Sequence, residues 1–170
     1  MEEMAALLEP HIPALRRYAR ALLRDNDAAD DLVQDCLERA IGRWYLRRRH
    51  GELKAWLFTI QRNLFLSRLR QRARRGTHLR FEDLPVAPAS EGNQMSRVGL
   101  VDVFAALDAL PEDQRSVLVL VGVEDMSYEE TARILDIPVG TVMSRLSRAR
   151  ERLAAFIEGG SRRQGLRRVK

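Results

Sequence analysis

Residues 136–153, DIPVGTVMSRLSRARERL, combine short hydroxyl side chains with arginines on a segment that has no helix breaker after Gly140. Hydroxyl and guanidinium groups are side chains that reach base edges and phosphates in the major groove of duplex DNA. At about 100° per residue, a helix here would place four apolar residues on one face: Val142, Leu146, Ala149 and Leu153. The opposite face and its flanks would carry the candidate DNA contacts, which are Thr141, Ser144, Arg145, Ser147 and Arg148.

The residues before this segment predict how the helix is positioned. Ser127 followed by Glu130 fits a capping box, so a short helix begins there. That helix must end at Asp136, because Pro138 donates no backbone hydrogen bond and disfavours the helical conformation of Ile137. Gly140 would then allow the two helices to approach closely. Two short helices joined by such a turn form a helix-turn-helix, which favours DNA binding over the alternative of an ordinary amphipathic helix with a basic solvent face.

A second set of residues that could contact nucleic acid lies in ELKAWLFTIQRNLFLSRLRQRARR, residues 52–75. Aromatic rings among basic residues suit unpaired bases, which stack on the rings while arginines neutralise the backbone. Asn63 could hydrogen-bond a base as both donor and acceptor. The alternative is that Trp56, Ile60 and Leu64 form a core stripe and the arginines are a solvated helix end; the segment alone does not decide between the two.

Helices are the elements that must position these residues, because apolar residues recur at spacings of three and four and no strand pattern is evident. The first helix would run over 12–23 and bury a stripe made of Leu15, Tyr18, Ala19, Leu22 and Leu23. A second helix would start near Asp27, capped by Asp27 or Asp30, and a third around Glu52. These three helices are expected to pack as one bundle.

The composition shift at residues 81–98, FEDLPVAPASEGNQMSRV, is typical of a linker. A second helical unit follows it, and the end of the chain, GGSRRQGLRRVK, is expected to be disordered. The fold class predicted is therefore all-α, with two small helical domains joined by a flexible linker.

Charge is segregated along the chain, which has a formal net charge of +5. Residues 25–38 contain five aspartates and a glutamate without a basic residue, whereas residues 68–80 contain six arginines without an acid. This segregation indicates two partners of opposite charge.

Several classes of function find no support in the sequence. Cys36 is the only cysteine, and the three histidines, His11, His50 and His78, lack metal-ligand spacing, so no disulfide, metal or other cofactor is expected. There is no phosphate-cradling glycine loop and no partnered nucleophile, so the protein is not expected to be an enzyme. No apolar run approaches the roughly 18 residues of a membrane span, and the acidic N-terminus is unlike a secretion signal, so a cytoplasmic location without membrane insertion is expected.

The order and spacing of four motifs resemble the extracytoplasmic-function (ECF) sigma factors, group 4 of the sigma-70 family of bacterial RNA polymerase. The motifs are DDLVQDCLERA, AWLFTIQRNL, LDALPEDQRSVLVL and MSYEETARILDIPVGTVMSRLSRARERL. The resemblance implies a region 2 domain over 8–78, a linker over 79–98, a region 4 helix-turn-helix domain over 99–157 and a disordered basic tail over 158–170.

The resemblance also implies partners and residue roles. The region 2 domain would bind the clamp on the largest subunit of core polymerase through Asp31, Gln34, Asp35 and Glu38. It would also melt the −10 promoter element and capture a base of the non-template strand, with contacts from Arg47, Arg48, Arg49, Trp56, Arg62, Asn63, Arg70 and Arg74. The region 4 domain would bind the −35 duplex and the polymerase flap, and an anti-sigma factor would hold the protein inactive.

The C-terminal domain departs from the family pattern at three positions. Met143 stands where relatives often have lysine or arginine, and Val121 and Gly122 stand where several have a basic or polar residue. Two other functions compete with the sigma factor. A stand-alone helix-turn-helix regulator would leave the N-terminal motifs unexplained, and a partner-switching protein that mimics a sigma factor would be expected to carry a receiver domain, for which the chain has no room.

Overall fold

The N-terminal half consists of four α-helices whose apolar stripes pack together. A computed structural model describes residues 2–46, 52–74 and 105–166 of the chain. The helices are α1 (Glu2–Leu8), α2 (Ile12–Leu23), α3 (Asn26–Gly42) and α4 (Leu53–Arg74), with 3₁₀ turns at Glu9–His11 and Trp44–Leu46. All five residues of the predicted α2 stripe are buried, as expected.

Helix α3 starts slightly earlier than predicted, and a different residue caps it. Asp25 has an extended backbone, and its side chain accepts a hydrogen bond from the backbone N–H of Ala28 at 2.9 Å. The prediction that Asp27 or Asp30 is the cap is therefore wrong, because both already lie inside the helix. Asp30 instead forms an ion pair with Arg16 at 3.2 Å, which joins the start of α3 to α2.

The core of this half lies where α4 packs against α2 and α3. Phe58 of α4 is fully buried and meets Tyr18 of α2 edge to face, with ring centroids 5.3 Å apart. Cys36 of α3 is also fully buried and donates its thiol to the Leu57 carbonyl at 3.4 Å. Burial raises the pKa of the Cys36 thiol to about 12, so the side chain stays protonated and serves as a small core residue.

The C-terminal half begins with helical residues 105–108 and continues with α5 (Glu112–Gly122), α6 (Tyr128–Leu135) and α7 (Val139–Leu166). Both α5 and α6 pack against α7. The predicted capping box at the start of α6 is confirmed: Ser127 accepts from the Glu130 N–H at 3.1 Å, and Glu130 accepts from the Ser127 N–H at 2.8 Å. Helix α7 continues to Leu166, so residues 158–166 are helical where the sequence predicts a disordered tail. Alanines and arginines favour helix and extend α7 across two glycines.

The two halves pack directly against each other, α2 on α5 and α4 on α6. Every regular element in the described ranges is helical, which confirms the all-α prediction. Within those ranges, no helix has the length and apolar character to cross a bilayer. The segment predicted to be a linker, 79–98, lies outside the described residues.

Candidate nucleic-acid and polymerase interfaces

The turn between α6 and α7 sets the direction of the helix predicted to recognise DNA. Asp136 adopts a left-handed conformation with φ of 54°, and the Ile137 N–H bonds the Ala132 carbonyl at 3.0 Å. The next turn begins at Pro138, whose carbonyl accepts from the N–H groups of Thr141 and Val142 at 2.9 and 3.2 Å. The chain thus leaves one helix and enters the next within three residues, as in a helix-turn-helix.

The faces of α7 follow the pattern predicted from its sequence. Val142, Leu146 and Ala149 are buried, and Leu153 is half-buried. The predicted DNA contacts Ser144, Ser147 and Arg148 are exposed, with Thr141 and Arg145 half-buried at the edge. The structure therefore brings all five predicted contacts to one side of α7, although their binding to DNA stays a prediction.

Two details of α7 differ from what its sequence implied. A Cβ on Gly140 would meet nothing within 4 Å, so the prediction that glycine permits a tight approach of the two helices is wrong. Arg145 is also not free, because its Nε pairs with Asp113 of α5 at 3.3 Å. Met143 is 51% exposed and presents an apolar side chain to solvent.

The predicted −10 contacts are only partly brought together. Arg47, Arg48 and Arg49 lie outside the described residues. Asn63, Arg70 and Arg74 of α4 are exposed, as a DNA contact requires. Trp56 is half-buried and meets Trp44 edge to face, with ring centroids 6.3 Å apart. This contact packs the 3₁₀ turn at Trp44–Leu46 against α4.

Arg62 is predicted to contact DNA, but the structure buries it between the two halves. It is only 9% exposed, and its guanidinium forms an ion pair with Glu112 of α5 and a 3.4 Å contact with the Ser116 hydroxyl. Burial lowers the pKa of Arg62, but the hydrogen bond and charge of Glu112 outweigh that effect and raise it overall. In this arrangement the C-terminal half covers Arg62, so DNA could reach it only after the two halves separate.

The residues predicted to bind core polymerase form one exposed row along α3. Asp31, Gln34, Asp35 and Glu38 are all exposed and repeat at helical spacing. Gln34 Nε2 donates to Glu38 Oε1 at 3.0 Å, and Asp35 pairs with Arg68 of α4 at 2.6 Å. The row is therefore preformed, with one of its carboxylates already paired.

Sequence reasoning missed a group of charged residues between the two halves. Glu124 follows α5, and its side chain is 1% exposed while it pairs with Arg17 of α2 at 2.7 Å and Lys54 of α4 at 3.5 Å. Arg24 pairs with Asp108 at 3.3 Å. The available signal was Glu124 itself, an acid that directly follows the apolar run VLVLVGV. No group of three or more histidine, cysteine, aspartate or glutamate residues in the described ranges could hold a metal ion.

Comparisons with known proteins agree over both halves of the chain. Residues 8–61 match the family described as the Sigma2 domain of PhyR, and residues 100–153 match Sigma-70, region 4. The chain is 42% identical to the ECF RNA polymerase sigma factor EcfG of Rhodopseudomonas palustris (strain TIE-1), covering 86% of this chain and 80% of that protein.

Two solved structures are similar to the chain over nearly its full length. One is the sigma factor RpoE from Bartonella quintana in complex with the anti-sigma factor NepR, with a TM-score of 0.81, 37% identity, and coverage of 93% of this chain and 98% of that chain. The other is CnrH in complex with the cytosolic domain of CnrY, with a TM-score of 0.67, 28% identity, and coverage of 92% and 88%. Both similarities extend over the two halves together.

Proposed function

Because the chain belongs to the ECF sigma factors of the sigma-70 family, we propose that its two halves divide promoter recognition between them. As a sigma factor it binds core RNA polymerase and directs promoter-specific initiation. In our proposal α7 reads the −35 duplex, α4 and the segment before it capture the melted −10 strand, and the acidic row on α3 docks on the polymerase clamp. The observation that supports this division is the outward-facing set of hydroxyl and arginine side chains on α7 in the C-terminal half, together with the exposed Asn63 on α4 in the N-terminal half.

Run-off transcription with purified core polymerase tests this proposal directly. We expect discrete transcripts from candidate promoters only when the chain is added. Tight binding of the chain alone to duplex DNA, without any specific initiation, would instead indicate a stand-alone helix-turn-helix regulator.

Regulation by an anti-sigma factor is part of the proposal. RpoE and CnrH, which this chain resembles over both halves, were each solved with a binding partner, and the partner of RpoE is described as an anti-sigma factor. We propose that a partner of this type holds the chain in the paired arrangement described above. We further propose that the protein acts in the cytoplasm, where core polymerase is found, and is not an enzyme.

The two alternative functions are not favoured. A stand-alone regulator would need only the C-terminal half, whereas the similarity to EcfG extends over 150 residues. PhyR, described as an anti-anti-sigma factor, resembles this chain at 18% identity, which indicates a shared fold. The sigma factor EcfG is far more similar in sequence.

Asn63→Ala is expected to impair promoter opening more than duplex binding. An exposed amide can hydrogen-bond a flipped base and so offset part of the few kcal/mol that unstacking costs. Loss of a base contact of about 1–3 kcal/mol corresponds to roughly 5- to 150-fold less open complex. Permanganate reactivity of unpaired thymines measures opening, and Gln71→Ala, which removes another exposed amide from α4, is the matched control. Equal losses of opening and duplex binding would remove Asn63 from base capture.

Arg148→Ala is expected to weaken recruitment of the holoenzyme to the −35 element. One lost phosphate contact should lower the slope of log affinity against log salt by about 0.9. The measurement is holoenzyme binding to the run-off promoter over a range of salt concentrations. Arg150→Ala removes an equal charge from another exposed position on α7 and serves as the control. An unchanged slope in the Arg148 variant would argue against a phosphate contact there.

A further inference from the structure

Among the described residues, every ion pair that crosses the junction between the two halves has the same polarity. Among the described residues, four ion pairs cross this junction. In every one the cation belongs to the N-terminal half and the carboxylate to the C-terminal half. The cations are Arg17, Arg24, Lys54 and Arg62, and the carboxylates are Asp108, Glu112 and Glu124. We call these four cations the junction cations.

The strongest of these contacts are shaped for an anion. Arg17 donates through Nε and Nη2 to the two carboxylate oxygens of Glu124 at 2.7 and 3.0 Å. Lys54 Nζ adds a hydrogen bond to the Glu124 backbone carbonyl at 2.6 Å. Arg62 donates hydrogen bonds from both terminal nitrogens to the two carboxylate oxygens of Glu112. A guanidinium fork that fits a carboxylate in this way also fits a phosphate.

The junction contains buried polar groups without partners beside its apolar contacts. Arg115 of α5 is 1% exposed, and its Nε and Nη2 have no hydrogen-bond partner in the structure. Burial lowers the pKa of Arg115 to about 10, and the neighbouring charge of Arg24 contributes to that decrease. Water would satisfy these groups once the halves part.

We infer that the junction cations form a binding surface for backbone phosphates of promoter DNA, which the carboxylates of the C-terminal half occupy in the paired arrangement. The inference rests on the proposed function, and it adds Arg17, Arg24 and Lys54 to the DNA-binding residues. Arg62 links the junction cations to the proposed −10 contacts, because it is a junction cation and directly precedes the exposed Asn63 on α4. Carboxylates and DNA phosphates then compete for the same cations, so pairing of the halves and binding of DNA exclude each other.

The first test neutralises two of the covering carboxylates in the full chain. We expect E112Q/E124Q to bind a fluorescein-labelled, mixed-sequence single strand of about 12 nucleotides roughly tenfold more tightly at low salt. The double substitution uncovers three cations, and each phosphate contact with a single strand contributes about 0.7 to the slope of log affinity against log salt. That slope should therefore become steeper by about 2. The control E129Q/E158Q makes the same charge change at exposed positions, and Glu129, like Glu112, lies in the first turn of its helix. Equal gains in both variants would overturn the inference, because net charge alone would explain them.

A second test removes cations from the E112Q/E124Q background. Adding R17Q and K54Q should cancel about two thirds of the gain in salt slope, because Arg62 is the one uncovered cation that remains. Adding R16Q and R39Q, which removes two exposed arginines outside the junction, should cancel much less of it. Equal losses in the two sets would overturn the inference.

A third measurement uses the unmodified junction, so it does not depend on the variants folding. Dyes on R20C and R150C report the distance between the halves, because Cys36 is buried and its thiol does not compete for label. We expect the distance to increase with added salt and with added oligonucleotide. No change in distance under both conditions would overturn the inference.

The identity of the anion is tested by comparing three probes. The oligonucleotide, its duplex form and a polyglutamate peptide of equal charge are compared in E112Q/E124Q. Tighter binding of either DNA form supports the inference, and the preferred form shows which strand state the surface takes. Peptide binding as tight as DNA binding would instead indicate an acidic protein segment as the ligand. These measurements need no polymerase, so failure of run-off transcription would contradict the proposed function without affecting this result.

Discussion

Lysine substitution of Asp31 and Glu38 should abolish specific transcription by the reconstituted holoenzyme. These two carboxylates stand at opposite ends of the exposed row on α3, and neither forms an ion pair in the described residues. If the row docks on a basic surface of the polymerase clamp, two reversed charges would place like charges against each other. Such contacts cost several kcal/mol, so affinity for core polymerase should fall by about two orders of magnitude.

The readouts for this variant are co-elution with core polymerase and run-off transcription. E3K/E9K changes the net charge by the same amount at exposed positions near the N-terminus, and should retain both activities. Substitution at Gln34, which donates to Glu38, should have a smaller effect because no charge is reversed. Normal co-elution of D31K/E38K with core polymerase would contradict the assignment of this row to the clamp.

Phe58→Ala should lower the free energy of unfolding by about 3–5 kcal/mol, a large share of the 5–15 kcal/mol typical of a whole protein. Phe58 is fully buried where α2 and α4 meet, and its edge-to-face contact with Tyr18 would be lost. Leu15, Leu57 and Phe65 are buried in the same core cluster. Urea unfolding followed by circular dichroism measures the change.

The matched control for this substitution is Phe156→Ala. Phe156 is 41% exposed on α7, and its removal should change the free energy of unfolding by less than about 0.5 kcal/mol. A loss below about 1 kcal/mol in Phe58→Ala would mean that the α2–α4 contact rearranges and is not the centre of the fold.

Local patterns in the sequence were sufficient to predict helices, stripes and caps. The capping box at Ser127 and the break at Pro138 are each encoded within a few residues, and the structure confirms both. The apolar faces of α2 and α7 follow from helical spacing alone. The cap of α3 was missed because Asp25, Asp27 and Asp30 all have suitable side chains, and only the backbone conformation distinguishes them.

The junction could not be predicted in the same way. Its pairs join residues separated by 50 to 107 positions, and no periodicity links Arg17 to Glu124 or Arg62 to Glu112. The sequence of α4 therefore predicts Arg62 to be one more exposed basic residue. Its burial depends on a partner helix in the other half, which an inspection of α4 alone does not reveal.

The distance along the chain between Lys54 and Glu124 also has a consequence for synthesis on the ribosome. Glu124 is made 70 residues after Lys54, which takes between roughly 4 and 14 s at the usual 5–20 residues per second. During this interval the nascent chain carries Arg17 and Lys54 without the Glu124 carboxylate that later pairs with them. A newly made N-terminal half thus carries these cations unpaired, and the order of translation determines when the chain's own acids can first cover them.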